Sequence, residues 1–400
     1  MDARLDARLD ERLAGGGRLS GRLGRLPPSG TLAVGEKVRA LRASGRSIFN
    51  LSGGAPDPGP PVGLELPVIA PGENSLGDPW GELALRKSFA DRLARRYNVV
   101  RGADCEMVVT VGAKQGLYFA LLALLEPGDE VIVIDPCWVT YAPSVELAGG
   151  RAIAVPLAAP DNRLDTDAIA AAVTERTRVV LINTPHNPTG RVFNEAELSA
   201  LAHLVKERDL WLMCDESFDL FVFDGRTHLS PGVFDAIRDR TILLYSFSKA
   251  FALPSYRIGM LVGPEPVCSL VANCTQQLIS SVALASQKVA HAALQKETEW
   301  APLLRRTYQD KRDACLALLK QDARVDARTP QGAFYLFPNI ERTGWSSERL
   351  ATHLLDASGV AVTSGAVFGG AGEGHIRLNL VGPLPALLEG TRALLQGLPG

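Results

Sequence analysis

The sequence predicts an α/β fold: a large unit with a mostly parallel sheet flanked by helices, plus a smaller α+β unit built from both chain ends. Three observations lead there. The chain has 400 residues, more than one hydrophobic core usually holds, so more than one unit is expected. From about residue 80, short apolar β-branched runs alternate with helix-forming runs, the pattern of a sheet covered on both faces. Beyond about residue 330 the rhythm changes to shorter runs without that alternation.

In chain order, 32–48 is expected to pack with the C-terminal unit. Residues 81–96 are amphipathic and helical. A strand over 107–111 ends in Gly112, and a helix over 115–125 stops at Pro127-Gly128. Strands follow at 131–134, closed by Asp135-Pro136, and at 179–182. A helix over 195–208 precedes strands at 210–214, 242–245 and 258–262. The long polar helix over 296–322 leads to the smaller unit, read from runs at 334–337, 347–356, 360–362 and 376–380.

Composition excludes several function classes. Hydrophobic residues make up 46% and charged residues 22%, as in an ordinary globular protein. A net charge of −2 gives no polyanion-binding signal, so nucleic acid is not expected as a partner. No apolar run is long enough to cross a membrane. The six cysteines have no CxxC or metal-ligand spacing, which reads as reduced thiols of a cytoplasmic protein with no bound metal. Residues 1–27 begin with a four-residue repeat carrying Leu5, Leu9 and Leu13; they read as a disordered or weakly helical leader, not a secretory signal.

Polar groups stand at the strand ends, where open α/β sheets bind ligands. Gly112-Ala113-Lys114 opens a helix whose free amides suit a phosphate. Trp138 follows the next strand and offers a flat face. Asn187-Pro188-Thr189-Gly190, Asp215-Glu216, and Ser246 with Lys249 follow the three strands after that. Singly, each has a bland explanation: a turn, a helix cap, a surface lysine. Together they point to one edge. Lys249, within Tyr245-Ser246-Phe247-Ser248-Lys249-Ala250-Phe251 and eight residues before Arg257, joins an amine to phosphate-holding groups. Pyridoxal phosphate chemistry needs that pairing.

The chain resembles a fold-type I pyridoxal phosphate-dependent enzyme of the class I/II aminotransferase family, aspartate aminotransferase-like, from about Pro28 to the C-terminus. The motifs are Leu51-Ser52-Gly53-Gly54-Ala55-Pro56-Asp57, Thr110-Val111-Gly112-Ala113-Lys114-Gln115, Pro136-Cys137-Trp138-Val139-Thr140-Tyr141, Asn183 through Gly190, Asp215-Glu216, Ser246 through Lys249, Arg257-Ile258-Gly259, Gly332-Ala333-Phe334-Tyr335 and His375-Ile376-Arg377-Leu378. The resemblance implies a homodimer. It also implies a small-domain segment over 28–60, a cofactor-binding large domain over 61–298 and a small C-terminal domain over 299–400.

By that resemblance, Lys249 is the Schiff-base lysine and moves the substrate proton, and Asp215 pairs with the pyridinium nitrogen. Asn187 donates to the ring oxygen and Trp138 stacks on the ring. Ser246, Ser248, Arg257 and the backbone of Gly112, Ala113 and Lys114 hold the phosphate. Arg377 grips the substrate carboxylate, with Gly54 and Asn187 beside it. Two positions depart from the family. Leu76 stands where a tyrosine usually reaches the partner's phosphate. Phe218 replaces a tyrosine whose hydroxyl meets the ring oxygen, a bond worth about 1.5–3 kcal/mol.

The resemblance implies amino-group transfer from an L-amino acid to a 2-oxo acid. An alternative uses the same fold for β- or γ-elimination, replacement or cyclisation of S-adenosylmethionine- or hydroxyarginine-type substrates. A third reading, the effector module of a transcription regulator, requires a DNA-binding domain ahead of the match, and fewer than thirty residues stand there.

Overall fold

The computed structural model describes residues 21–399 except 25, 27, 54, 55, 58, 66 and 74. The leader expected over 1–27 thus lies outside the described residues, apart from a helical turn at Gly21–Gly24 and Leu26. α1 (Gly30–Ala43) and the short strand β1 (Phe49–Asn50) come first. α2 (Leu83–Tyr97) buries Leu85, Phe89 and Leu93, residues four apart and therefore on one face. Strands and helices then alternate: β2 (Met107–Thr110), α3 (Gly112–Leu124), β3 (Glu130–Asp135), α4 (Tyr141–Leu147), β4 (Arg151–Pro156), α5 (Thr166–Ala172), β5 (Thr177–Asn183), α6 (Glu195–Glu207), β6 (Trp211–Asp215), β7 (Thr241–Ser246), α7 (Phe247–Ala250) and β8 (Gly259–Val262).

These strands form one seven-stranded sheet in the order β2-β8-β7-β6-β5-β3-β4. Only β8 runs antiparallel to its neighbours. The chain between β7 and β8, residues 247–258, holds α7 and one tight turn. That is too short to carry the chain back for a parallel strand, so it re-enters from the edge where it left. Side chains alternate between two cores. Val131, Val133, Leu181, Met213 and Leu244 face one, while Ile132, Ile134, Val180, Ile182 and Leu212 face the other. β4 pairs with β3 alone and is largely exposed, an edge strand that the apolar pattern did not reveal.

α8 (Glu265–Ile279), α9 (Leu284–Gln295) and α10 (Glu297–Leu319) carry the chain to β9 (Tyr335–Leu336), α11 (Ser347–Ser358), β10 (Val360–Ala361), β11 (Thr363–Ser364), β12 (Ile376–Asn379) and α12 (Leu384–Gln396). β1 pairs with β10, Phe49 opposite Val360. Val38 and Ile48 share a small core with Leu355 and Ala361. The N-terminal segment is therefore built into the C-terminal part of the fold.

The sheet places its chemistry at one edge. Asn183 and Asp215 end β5 and β6 as register partners. Ser246, ending β7, lies opposite Gly259, which also faces Thr110 at the end of β2.

Candidate active site

A cavity of about 400 Å³ opens at this edge, lined by Lys249, Asp215, Asn187, Trp138, Ser246, Ser248, Phe218, Ala113, Lys114, Arg257 and Arg377. Gly112 stands at the mouth of α3 with φ of +71°, and a Cβ there would lie 2.7 Å from Arg257 Nη2. Glycine is required on both counts. Gly54 lies outside the described residues.

Lys249 occupies α7, directly after β7. Burial lowers its ammonium to about 8, helped by the positive charges of Arg377 and Arg257. Phe334 covers one side, its ring centroid 5.5 Å from Nζ.

Asp215 is 5% exposed. Its Oδ2 accepts from the Tyr141 hydroxyl at 2.8 Å and its Oδ1 from the Ser217 amide at 2.9 Å. Burial nonetheless holds its carboxyl above the usual range, against those hydrogen bonds. Tyr141 sits on α4, one helical turn beyond Trp138, and meets that indole edge to face at 5.5 Å. It went unassigned in the sequence, although it closes the Pro136-to-Tyr141 motif. Its spacing from Trp138 is the signal that was available.

Arg377, from β12, is 5% exposed. Its Nη1 donates to Asn187 Oδ1 at 3.0 Å and its Nη2 to the Ser52 carbonyl at 3.3 Å. The guanidinium lies between the rings of Tyr335 and Phe368, at 4.3 and 4.5 Å. No acidic partner is present among the described residues, and Nε has no hydrogen bond there. The Ser52 carbonyl is a backbone contact that no residue-type pattern could reveal. Because Asn187 Oδ1 accepts from Arg377, its amide nitrogen remains to donate into the cavity.

The opposite wall gathers donors. α3 has no side-chain cap, leaving its first amides open. Arg257, at φ +51°, donates from Nη1 to the Pro254 carbonyl at 3.1 Å and to Ser248 Oγ at 3.4 Å. Ser246 caps α7 by accepting from the Ser248 amide. Burial, then Arg257, lowers the Lys114 ammonium, which stands 5.1 Å from the Trp138 ring centroid.

Phe218 packs edge to face on Phe334 and Tyr335, at 5.2 and 5.6 Å. Leu76 is 80% exposed and lines no part of this cavity. His186 precedes Asn187; its Nδ1 lies 2.8 Å from Thr189 Oγ1, and burial lowers its imidazole to about 3, which keeps it neutral. A larger cavity, about 800 Å³, adjoins across Lys114 and Arg257 but contains neither Lys249, Asp215 nor Arg377.

Comparison with known proteins identifies the family. The family model for aminotransferase class I and II matches residues 67–390. The arginine–pyruvate transaminase of Pseudomonas aeruginosa is 34% identical, over 92% of this chain and 95% of that protein. A probable aspartate/prephenate aminotransferase of Aquifex aeolicus is 32% identical, over 95% and 98%. The solved structure of an aspartate aminotransferase from Thermus thermophilus with maleate superposes with a TM-score of 0.90 at 32% identity, over 96% of this chain and all of that one. The sheet with its ligand edge and this extent of likeness lead to one conclusion: the chain belongs to the class I and II aminotransferases and is a pyridoxal phosphate-dependent aminotransferase.

Proposed function

We propose that this cleft transfers the amino group of an L-amino acid to a 2-oxo acid, with Lys249 as the catalytic amine. One observation carries the reading. Lys114, Lys249, Arg257 and Arg377 line the cavity with Asp215 as the only carboxylate among the described lining residues. Such a surplus of positive charge calls for anions, and a cofactor phosphate and a substrate carboxylate are two of suitable size. The residues fit pyridoxal 5'-phosphate: open amides at α3, Arg257 over Gly112, and Ser246 and Ser248 suit the phosphate. When bound, the cofactor supplies an aldehyde for the amine and a ring that draws electrons from the α-carbon.

The protein's own groups do the rest. Lys249, its ammonium lowered to about 8, gives up a proton readily and serves as base and then acid at the α-carbon. Asp215, steadied by Tyr141, would accept from the ring N–H of the bound cofactor and so keep that nitrogen protonated. Asn187 would donate its free amide to the ring oxygen, and Trp138 would cover the ring face. Arg377 takes the α-carboxylate through two parallel hydrogen bonds, oriented by Asn187 and the Ser52 carbonyl. Beyond the α-carbon, Lys114 offers a partner to an acidic side chain. A cationic side chain finds no unengaged carboxylate among the described lining residues. This favours acidic or neutral substrates over arginine.

The proposed division is a segment over 28–60, a large domain over 61–298 and a small domain over 299–400, supported by the β1–β10 pairing. A homodimer is proposed on the exposed Leu76, Leu270, Leu278 and Ile279, Ile279 lining the larger cavity. Six unpaired cysteines support a cytoplasmic role in amino acid metabolism. No helix among the described residues is long and apolar enough to cross a membrane.

The test is a half-reaction screen in which the holoenzyme meets one amino acid at a time. The reading expects conversion of the cofactor to its amine form with release of an equivalent of 2-oxo acid. Release of ammonia or a side-chain leaving group without the amine form would overturn it.

A further inference from the structure

Beside the loop that follows β6, a notch of about 160 Å³ separate from the Lys249 cleft lies between the end of α2, the start of α10 and that loop. Arg96, Arg226, Arg305 and His228 line it. The His228 side chain is 1% exposed and its Nε2 lies 3.0 Å from Glu216 Oε2. Its other ring nitrogen, Nδ1, is buried and has no partner among the described residues. Arg305 Nε is likewise buried and without a partner. Unpartnered buried nitrogens on two residues that line one small space are uncommon in folded proteins.

The charges are unbalanced as well. Asp219, the one carboxylate lining the notch, is already engaged by Arg92 at 2.5 Å and by the Tyr97 hydroxyl at 2.8 Å. Glu297 is 3% exposed and bonds Arg92 at 2.8 Å, with Arg96 at 3.8 Å. Arg226 and Arg305 form no ion pair among the described residues. Burial, and next the charge of Arg96, lowers the Arg305 guanidinium from its ordinary value, the response expected when neighbouring cations lack a counter-charge.

We propose that this notch is an anion-binding site whose ligand is a small oxyanion, either inorganic phosphate or the carboxylate of a metabolite. Arg305 and Arg226 supply the charge, Arg96 adds to it from α2, and His228 forms the floor. The ligand is separated from Glu216 by a single imidazole, and Glu216 precedes Ser217, whose amide holds Asp215.

The experiment uses holoenzyme, whose cofactor already fills the phosphate pocket of the active site. Inorganic phosphate is titrated calorimetrically at constant ionic strength, balanced with chloride. Beside any binding at the Arg377 end of the cleft, which Arg226→Gln leaves unchanged, the wild type is expected to show one further saturable site per chain. Arg226→Gln should weaken it several-fold, and Arg226→Gln with Arg305→Gln by about ten-fold or more, the loss typical of a charge-assisted contact. Arg226 is exposed, so the single variant reads the site even if the double variant folds poorly. Arg349→Gln, a surface arginine stacked on Trp345, should bind as the wild type does. Malonate that displaces phosphate in the wild type extends the site to carboxylates; malonate that fails to displace it assigns the site to phosphate. Absence of saturable phosphate binding, or equal binding by wild type and Arg226→Gln, would overturn the proposal.

Discussion

At the scale of single residues, the cleft holds groups in states the folded protein alone does not favour. Lys249 carries an ammonium lowered to about 8 from 10.5. Below about pH 8 both folded and unfolded chains are protonated at this site, and the folded state bears the full penalty of the buried charge. Between that pH and about 10.5 only the unfolded chain keeps the proton, so stability rises with pH and the penalty is lost. Lys249→Met should therefore stabilise the apoprotein at pH 7, by on the order of 1 kcal/mol after allowing for the solvent at the cleft, while abolishing turnover. Urea unfolding of the two apoproteins measures it, and the gap should close toward pH 10. A destabilised variant would mean that the lysine is not held against its charge.

Phe218 gives the second residue-scale prediction. It is 4% exposed and its ring is fixed by Phe334 and Tyr335. If its edge faces the cofactor ring oxygen, Phe218→Tyr adds a donor to an anion and should lower the pH midpoint of the holoenzyme's visible absorption change. The expected shift is about one unit, equivalent to about 1.4 kcal/mol. A spectrophotometric titration that does not move would place Phe218 away from that oxygen.

At the scale of elements, the mouth of α3 is the most constrained feature. Gly112→Ala would force a side chain onto φ +71° and within 2.7 Å of Arg257 Nη2, so the guanidinium must shift from the helix end. Cofactor affinity should fall by about ten-fold, the worth of one charge-assisted contact, with the thermal midpoint of the apoprotein lowered by about 1 kcal/mol equivalent for the strained backbone. Equilibrium dialysis measures the first, and unchanged cofactor retention would refute it.

Elements also show what a sequence can carry. From Val179 in β5 and throughout β6 the buried strands are apolar runs with a polar residue at the end, so both strands and the placement of Asp215 were legible. β4 was not, because two of its four central residues are alanines, which carry little strand signal, and Arg151 and Pro156 bracket them. The reversed direction of β8 was not, because burial on both faces leaves the same run whichever way a strand points. Arg377 was visible only through a motif, since its partners Asn187 and Ser52 are far from it in the chain. Tyr141 was hidden because its target, Asp215, lies 74 residues on.

At the scale of the whole molecule, exposed Leu76, Leu278 and Ile279 leave apolar surface near the larger cavity, as a protein that pairs with a second copy does. Light scattering should give twice the 42.8 kDa of one chain. A stable, active species at the single-chain mass would refute the pairing.

The pairing of β1 with β10, and the descent of Arg377 from β12, set an order on the birth of the molecule. A ribosome that has delivered Val262 has released every strand of the large sheet, together with Lys249, Asp215 and Asn187. Domains can begin to fold while translation continues. β1, however, must wait without its strand partner until residue 361 has emerged, and the arginine facing the cavity arrives later still. The nascent chain thus assembles the lysine of the cleft before the arginine proposed to grip a carboxylate.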